Sequence, residues 1–382
     1  MAAAEDALGG AFLAALETWP QTGVPDRPEA WLLTAARRRL LDGARHTKVE
    51  VATAADVRLT IERAQEEASS EVVFPDDRLR LLFVCAHPAI DPAARTPLML
   101  QTVLGLDAAR IAAAFLTAPA AMSQRLVRVK AKIRDAGIRF EIPEPAGLPA
   151  RLEAVLEAIY AAYGSGWEDV AGADPRRQGL AQEAIWLGRL VVRLLPEEPE
   201  AQGLLALMLH CEARRPARRD AAGGYVPLGR QDVRRWSGAM IEEAEQTLAD
   251  AARAGTPGRF QLEAAIQSVH ARRAISGETD WEAIALLYEG LVSLAPTVGA
   301  RVAQAAALAE ARDAAAALAA LDAIPSEAVG TYQPYWALRA HLLRRLGPPG
   351  PAREAYARAI GLSEDPAVRE FLAGEAGQSL RS

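Results

Sequence analysis

"GLDAARIAAAFLTAPAAMSQRLVRVKAKIRDAGI", residues 105–138, decides how the whole chain is read. Between Ala118 and Arg134 it carries Arg125, Arg128, Lys130, Lys132 and Arg134 and no acidic side chain, inside a chain of formal net charge −6. Met122, Leu126, Val129 and Ile133 recur at spacings of four, three and four, which places them in one stripe of an α-helix. At about 100° per residue, Gln124, Arg128 and Ala131 point away from that stripe. Arg125 and Lys132 lie on one flank, Ser123 and Lys130 on the other. Upstream, Asp107 suits an N-cap, Ile111, Ala112 and Phe115 supply an apolar side, and Pro119 suits the first turn of the following helix. Two short helices joined by a tight turn, the second one basic, form the helix-turn-helix pattern, whose second helix enters a DNA major groove. Ser123, Gln124, Arg125, Arg128, Lys130 and Lys132 are therefore candidate DNA-contacting residues. The competing reading is a solvated cationic face on an ordinary helical hairpin.

The rest of the chain predicts an all-α fold. Of 382 residues, 51% are hydrophobic and only 5% aromatic, with Ala and Leu plentiful and β-branched residues scarce, a composition that favours helix nearly throughout. Cys85 and Cys211 are far apart and form no CxxC half-site, so neither a disulfide framework nor a zinc site is expected. Glu5 and Asp6 stand where a secretory leader would carry cations, and no apolar run approaches the ~18–20 residues that span a bilayer. A soluble, cytoplasmic protein without a membrane partner is expected. Charge is uneven: residues 1–140 hold 18 basic and 17 acidic groups, residues 141–382 hold 25 and 32. Residues 50–77 concentrate eight acids against Arg58 and Arg63, an acidic connector ahead of the basic module.

The stretch 105–138 resembles region four of an extracytoplasmic-function sigma factor of RNA polymerase, the part that reads the upstream promoter element. "EDALGGAFLAALETWPQTGVPDRPEAWLLTAARRRLLDGAR", residues 5–45, resembles the later part of region two, which binds core RNA polymerase and the melted promoter element. "DDRLRLLFVCAHPAI", residues 76–90, resembles the approach to region four in the subgroup with a long helical-repeat extension. That extension is matched by the stretches at 195–236 and 279–296. The resemblance implies two partners, core RNA polymerase and promoter DNA, and aligns Trp31, Thr34, Arg37, Arg39, Asp42 and Arg45 with the region-two helix. Thr34, Arg37, Arg38 and Arg45 join the candidate DNA-binding residues. Arg38 stands where the family usually has Asn, Gly43 where it has a basic residue, and Arg110 where it has an acid. The resemblance also implies a further helix ahead of Glu5 to cover Ala11, Phe12, Ala15, Leu16 and Trp19, so a reading frame that begins upstream of Met1 is expected.

Beyond residue 147, helical segments alternate with Gly and Pro. Trp336, Ala340, Leu343, Gly347, Ala352, Tyr356 and Ala359 fall at the tetratricopeptide spacing, in which small residues let paired helices approach and large ones fill the gap. Ala283, Leu287 and Pro296 give a looser version. Such arrays hold a protein partner or serve as spacers, and both roles remain open at this level. Arg214, Arg215, Arg218, Arg219, Asp232 and Arg235 suit an ion-pair network, a recognition surface or a solvated charge run.

Nothing reads as an enzyme: the histidines at 46, 87, 210, 270 and 341 are scattered, without HExxH, phosphate loop or GxSxG. Cys85 with His87, and His210 with Cys211, are read as small buried hydrophobes beside helix-end histidines, and no cofactor is expected. The expected organisation is partial region two over 1–48, acidic linker over 49–76, helix-turn-helix region four over 77–139 and a tetratricopeptide-like domain over 147–382. The expected function is an alternative sigma factor that directs core polymerase to specific promoters and is regulated through its C-terminal helical domain. The alternative is a helical-repeat interaction protein with a degenerate sigma portion that does not initiate transcription.

Overall fold

The computed structural model describes residues 74–138, 141–167, 179–347 and 349–378, with a scatter of positions between Ala11 and Ala35. Two compact units divide at Glu71/Val72, inside the expected linker. In the first unit Ala11 and Ala15 are buried. Trp19 meets Trp31 edge-on with ring centroids 5.5 Å apart. Gly23, at φ 81, ends the first helical stretch with a bond from its N–H to the Trp19 carbonyl, the left-handed closure glycine permits.

The second unit is all-α; among its described residues the single β-type pairing is an isolated bridge between Arg219 and Tyr225. It opens with four helices: α1 (Asp77–Cys85), α2 (Pro92–Thr102), α3 (Ala108–Ala114) and α4 (Pro119–Asp135). Asp76, Asp91 and Asp107 each accept hydrogen bonds from first-turn amides of the helix that follows, which satisfies groups a helix start leaves bare. Helix α5 (Pro149–Trp167) then packs on α1, α2 and α3.

Here the structure departs from the expected boundary between 139 and 147. Leu79, Leu82, Phe83, Met99, Leu100, Ile111, Met122 and Leu126 share one continuous core with Leu152, Val155, Ile159, Leu190, Leu204 and Met208. Arg151 donates to the Phe83 carbonyl at 2.9 Å across that junction. A module this small gains apolar burial by sharing its core, and α5 supplies the missing wall.

Helices α6 (Leu180–Leu194), α7 (Pro199–Ala213), α8 (Gly238–Ala252) and α9 (Arg259–Ala271) follow. Helix α7 is apolar around its whole circumference and buried from Gly203 to His210, as expected of a helix enclosed on all sides. It lies against α5, α6, α8 and α9. Gly203 lets α7 approach the backbone of α9: a Cβ there would meet the Gln261 amide nitrogen at 2.6 Å.

After the one-turn α10 (Arg273–Ser276) come α11 (Trp281–Leu294), α12 (Val298–Ala311), α13 (Ala314–Asp322), the short α14 (Ser326–Val329), α15 (Gln333–Leu346), α16 (Pro349–Leu362) and α17 (Pro366–Gln378). They pack in succession, α9 on α11, α11 on α12, α12 on α13, α13 on α15, α15 on α16 and α16 on α17, the neighbour-to-neighbour order of a helical repeat. Ala340, Ala352, Tyr356 and Ala359 are buried between α15 and α16 as their spacing requires. Trp336 is half-buried, its indole N–H donating to the Val329 carbonyl at 3.1 Å while Arg358 stacks on its face. Gly347 differs from expectation: it sits exposed in the turn at φ −174, and a Cβ there would meet nothing. The close approach therefore rests on the alanines.

Candidate nucleic-acid interface

Helix α4 is held along its full length by one stripe. Met122 and Leu126 enter the main core, while Val129 and Ile133 pack on Ile90, Ala94 and Leu98 beside α2. The helix before it ends as the turn demands. The N–H of Thr117 reaches the Ala112 carbonyl at 2.9 Å and that of Leu116 reaches the Ala113 carbonyl at 3.2 Å, with Leu116 left-handed at φ 50. This is the six-to-one, five-to-two closure of a helix, here with a leucine where glycine would be unstrained. Pro119 occupies the first turn of α4. Helices α3 and α4 thus pack as a pair joined by a four-residue turn.

The face opposite the stripe carries the expected groups. Ser123, Gln124, Arg128 and Lys132 are exposed, and Arg125 and Lys130 are half-buried. Among the described residues Arg125, Arg128, Lys130 and Lys132 have no carboxylate within ion-pair distance, and the pair nearest them is the loose one between Arg134 and Asp135 at 3.8 Å. Four cations without an internal acid, spread over the outward side and both flanks of one packed helix, favour a polyanion. Val127, which periodicity did not single out, stands on the same face with 68% of its surface exposed. At about 100° per residue it lies roughly 130° around the helix from the centre of the apolar stripe, where a valine adds nothing to the core. Thr34, Arg37, Arg38 and Arg45 lie outside the described residues.

The second arginine-rich stretch behaves differently. Residues 214–237, here termed the strap, leave the end of α7 and return to the start of α8. Their tip is a tight turn in which Asp220 accepts from the amides of Ala222 and Gly224, with Gly223 at φ 84. Arg215 donates to Glu212 at 2.8 Å, Arg214 to Gln267 and Arg235 to the Arg219 carbonyl at 2.7 Å. Arg219 pairs with Asp365 at the head of α17. Arg230 approaches Glu375 at 3.3 Å and stacks on Phe371, and Tyr225 meets Phe371 edge-on at 5.4 Å. The contacts of Arg219, Tyr225 and Arg230 tie the strap to the last helix, and Tyr225, Arg230, Phe371 and Glu375 line a cavity of about 240 Å³ with Glu370 and Gly374.

The buried titratable groups follow from burial. His210 and His270 are pushed down to about 4, by burial first and then by the charge of Arg214. They are neutral near pH 7, so the 3.6 Å approach of His210 to Glu245 is not an ion pair. His210 occupies the last turn of α7 but is buried, unlike a solvated helix-end histidine. Burial raises the Cys85 thiol, the opposite of what a reactive thiolate needs. His87 accepts the Ala89 amide. Among the described residues no group of His, Cys, Asp and Glu is arranged to hold a metal ion, and no helix is long and apolar enough to cross a membrane.

Comparison with known proteins adds the following. Residues 151–252, from α5 to the end of α8 with the strap between, match a family of unknown function (DUF6596). The uncharacterized protein R00370 of Rhizobium meliloti (strain 1021) is 39% identical over 373 residues, which cover 97% of this chain and 88% of that protein. No solved structure matches the chain.

Proposed function

The chain belongs to the family of the Rhizobium meliloti protein R00370; on the resemblance of residues 5–45 and 105–138 to sigma regions two and four, we propose that it is a sigma-factor-type transcription initiation protein of the cytoplasm. In this reading α4 enters the major groove of an upstream promoter element. Gln124 and Arg128 face base edges, while Arg125, Lys130 and Lys132 neutralise phosphates. The preceding unit, where Thr34, Arg37, Arg38 and Arg45 fall, engages core RNA polymerase and the melted strand. The helical array carries regulation through a protein partner. No catalytic step belongs to the chain itself; it acts by holding polymerase to chosen DNA. The observation that carries this reading is the unpaired cationic face of α4, presented by a helix whose other side is locked in two clusters.

The test is run-off transcription with core RNA polymerase and the full chain on duplexes enriched by that chain from a random library. Chain-dependent transcripts from the enriched templates are expected, and they should fall at least tenfold with Arg128→Ala, the discrimination of one good base contact. Specific DNA binding without transcripts would instead assign the chain to the non-initiating helical-repeat class.

A further inference from the structure

Val127 is an anomaly on the α4 face. It is β-branched, which helix interiors mildly disfavour, and it is 68% exposed where burial gives the fold nothing. It lies one turn from Gln124 and next to Arg128, in the sector opposite Met122 and Leu126. Along the same sector Ala120 is exposed and Ala131 half-buried, so small residues flank it and the helix backbone can come close to a partner surface. A short side chain such as valine touches base edges only under such close approach, whereas the longer arginines and lysines on the flanks still reach phosphates. The edge of a B-form major groove is polar except at one feature, the C5-methyl of thymine. Gln124 carries a carboxamide, a donor and an acceptor side by side, which matches the N6 donor and N7 acceptor of adenine. The axial offset between residues 124 and 127 is about 4.5 Å, between one and two base-pair steps of about 3.4 Å.

We propose that Val127 reads a thymine methyl one step from an adenine read by Gln124, so that the DNA site of this chain contains a step of A·T pairs placed under the first two turns of α4. This rests on the DNA-binding reading above. Arg128, a partner for guanine O6 and N7, then reads the neighbouring pair, and the three basic flanking residues fix the register.

The test isolates a single methyl group. The full-length protein enriches duplexes from a random-sequence library, and the enriched pool is amplified once with thymine and once with uracil, which differ only by the C5-methyl. The wild type is expected to bind the uracil pool about fourfold more weakly, the effect of one buried methyl. Val127→Ala is expected to bind the two pools equally while keeping the salt dependence of the wild type, since its phosphate contacts are intact. Equal wild-type affinity for both pools overturns the proposal. So does a Val127→Ala variant that still distinguishes them, because the methyl is then read elsewhere. If no pool is enriched over random sequence, the DNA-binding reading itself falls, and this inference with it. That result is distinct from an enriched pool indifferent to the methyl.

Discussion

The face of α4 and the strap are built from the same residue types and do opposite things with them. On α4, Arg125, Arg128, Lys130 and Lys132 have no internal acid among the described residues, although the helix beneath them is fixed. In the strap, Arg215, Arg219, Arg230 and Arg234 each have a carboxylate, and Arg214 and Arg235 donate to uncharged oxygens. A count of cations would rank both stretches as polyanion sites. What separates them is where the opposite charge comes from: the strap finds it within the chain, and α4 leaves it to be supplied. An unpaired cation on a rigid surface costs little until a partner arrives, so its interaction energy goes to binding. A paired one adds to stability.

The largest expected effect comes from acid, and it belongs to the strap side alone. His210 and His270 titrate near 4 in the folded chain, against about 6.5 when unfolded. The unfolded chain therefore takes up these protons first. Their contribution to stability is complete above pH 6.5 and is lost as pH falls from 6.5 towards 4, by about 3 kcal/mol for each histidine. Urea midpoints measured from pH 7 to 4.5 should fall accordingly, and the fall should flatten in a His210→Gln, His270→Gln variant. An unchanged slope would show that other groups govern the acid limb.

A direct contrast follows, worth about 2 kcal/mol on either side. Replacing Arg125, Lys130 and Lys132 by Ala should reduce the slope of log affinity against log salt by about 2.7, so that roughly 40-fold of the affinity change between 50 and 200 mM salt disappears. The unfolding midpoint should stay within about 0.5 kcal/mol. Arg219→Ala or Glu375→Gln should do the reverse, costing about 1–2 kcal/mol of stability with the DNA salt slope intact. Should the α4 variant unfold early or the strap variants lose salt dependence, the division of labour between the two regions is wrong.

The smallest effect sharpens the geometry on the α4 side. Leu116 holds φ 50 on the turn between α3 and α4, a conformation that costs a side-chain-bearing residue about 1 kcal/mol. Leu116→Gly removes that strain and adds flexibility to the unfolded chain, so a gain below about 1 kcal/mol is expected in thermal denaturation, with the exposure of Val127 and Arg128 unaltered. A loss would mean that the half-exposed leucine packs in a way its 52% exposure does not suggest.

How much of this was legible depended on range along the chain. Asp107 as cap, Pro119 in the first turn and the stripe Met122, Leu126, Val129, Ile133 are local signals, and the structure places each as its spacing requires. The same holds for Ala340, Tyr356 and Ala359, which share one cluster, and for the buried Ala352. Val127 was missed because the stripe Met122, Leu126, Val129 and Ile133 accounts for the core without it, and a valine outside a stripe carries no label of what it meets. The sharing of a core between α5 and the first four helices was also hidden: Leu152 and Val155 show an apolar side without naming what it covers. Arg219 with Asp365 and Arg230 with Glu375 are 146 and 145 residues apart, and nothing in a charge pattern selects one distant acid from 49 in the chain. The positions Thr34, Arg37, Arg38 and Arg45 lie outside the described residues, and the readings placed on them rest on resemblance.

The long reach of the strap has a consequence in time. A ribosome adds about 5–20 residues per second, so Glu375 is made roughly 7–30 s after Arg230, the 145 residues between them setting the wait. Once residue 271 has been added, α5 to α9 are complete and able to pack, while Arg219, Tyr225 and Arg230 still lack the partners that α17 brings. The docking of α17 on the strap is then the closing event in the birth of the protein, and a nascent chain arrested before Asp365 carries an open strap however well α1 to α9 have folded.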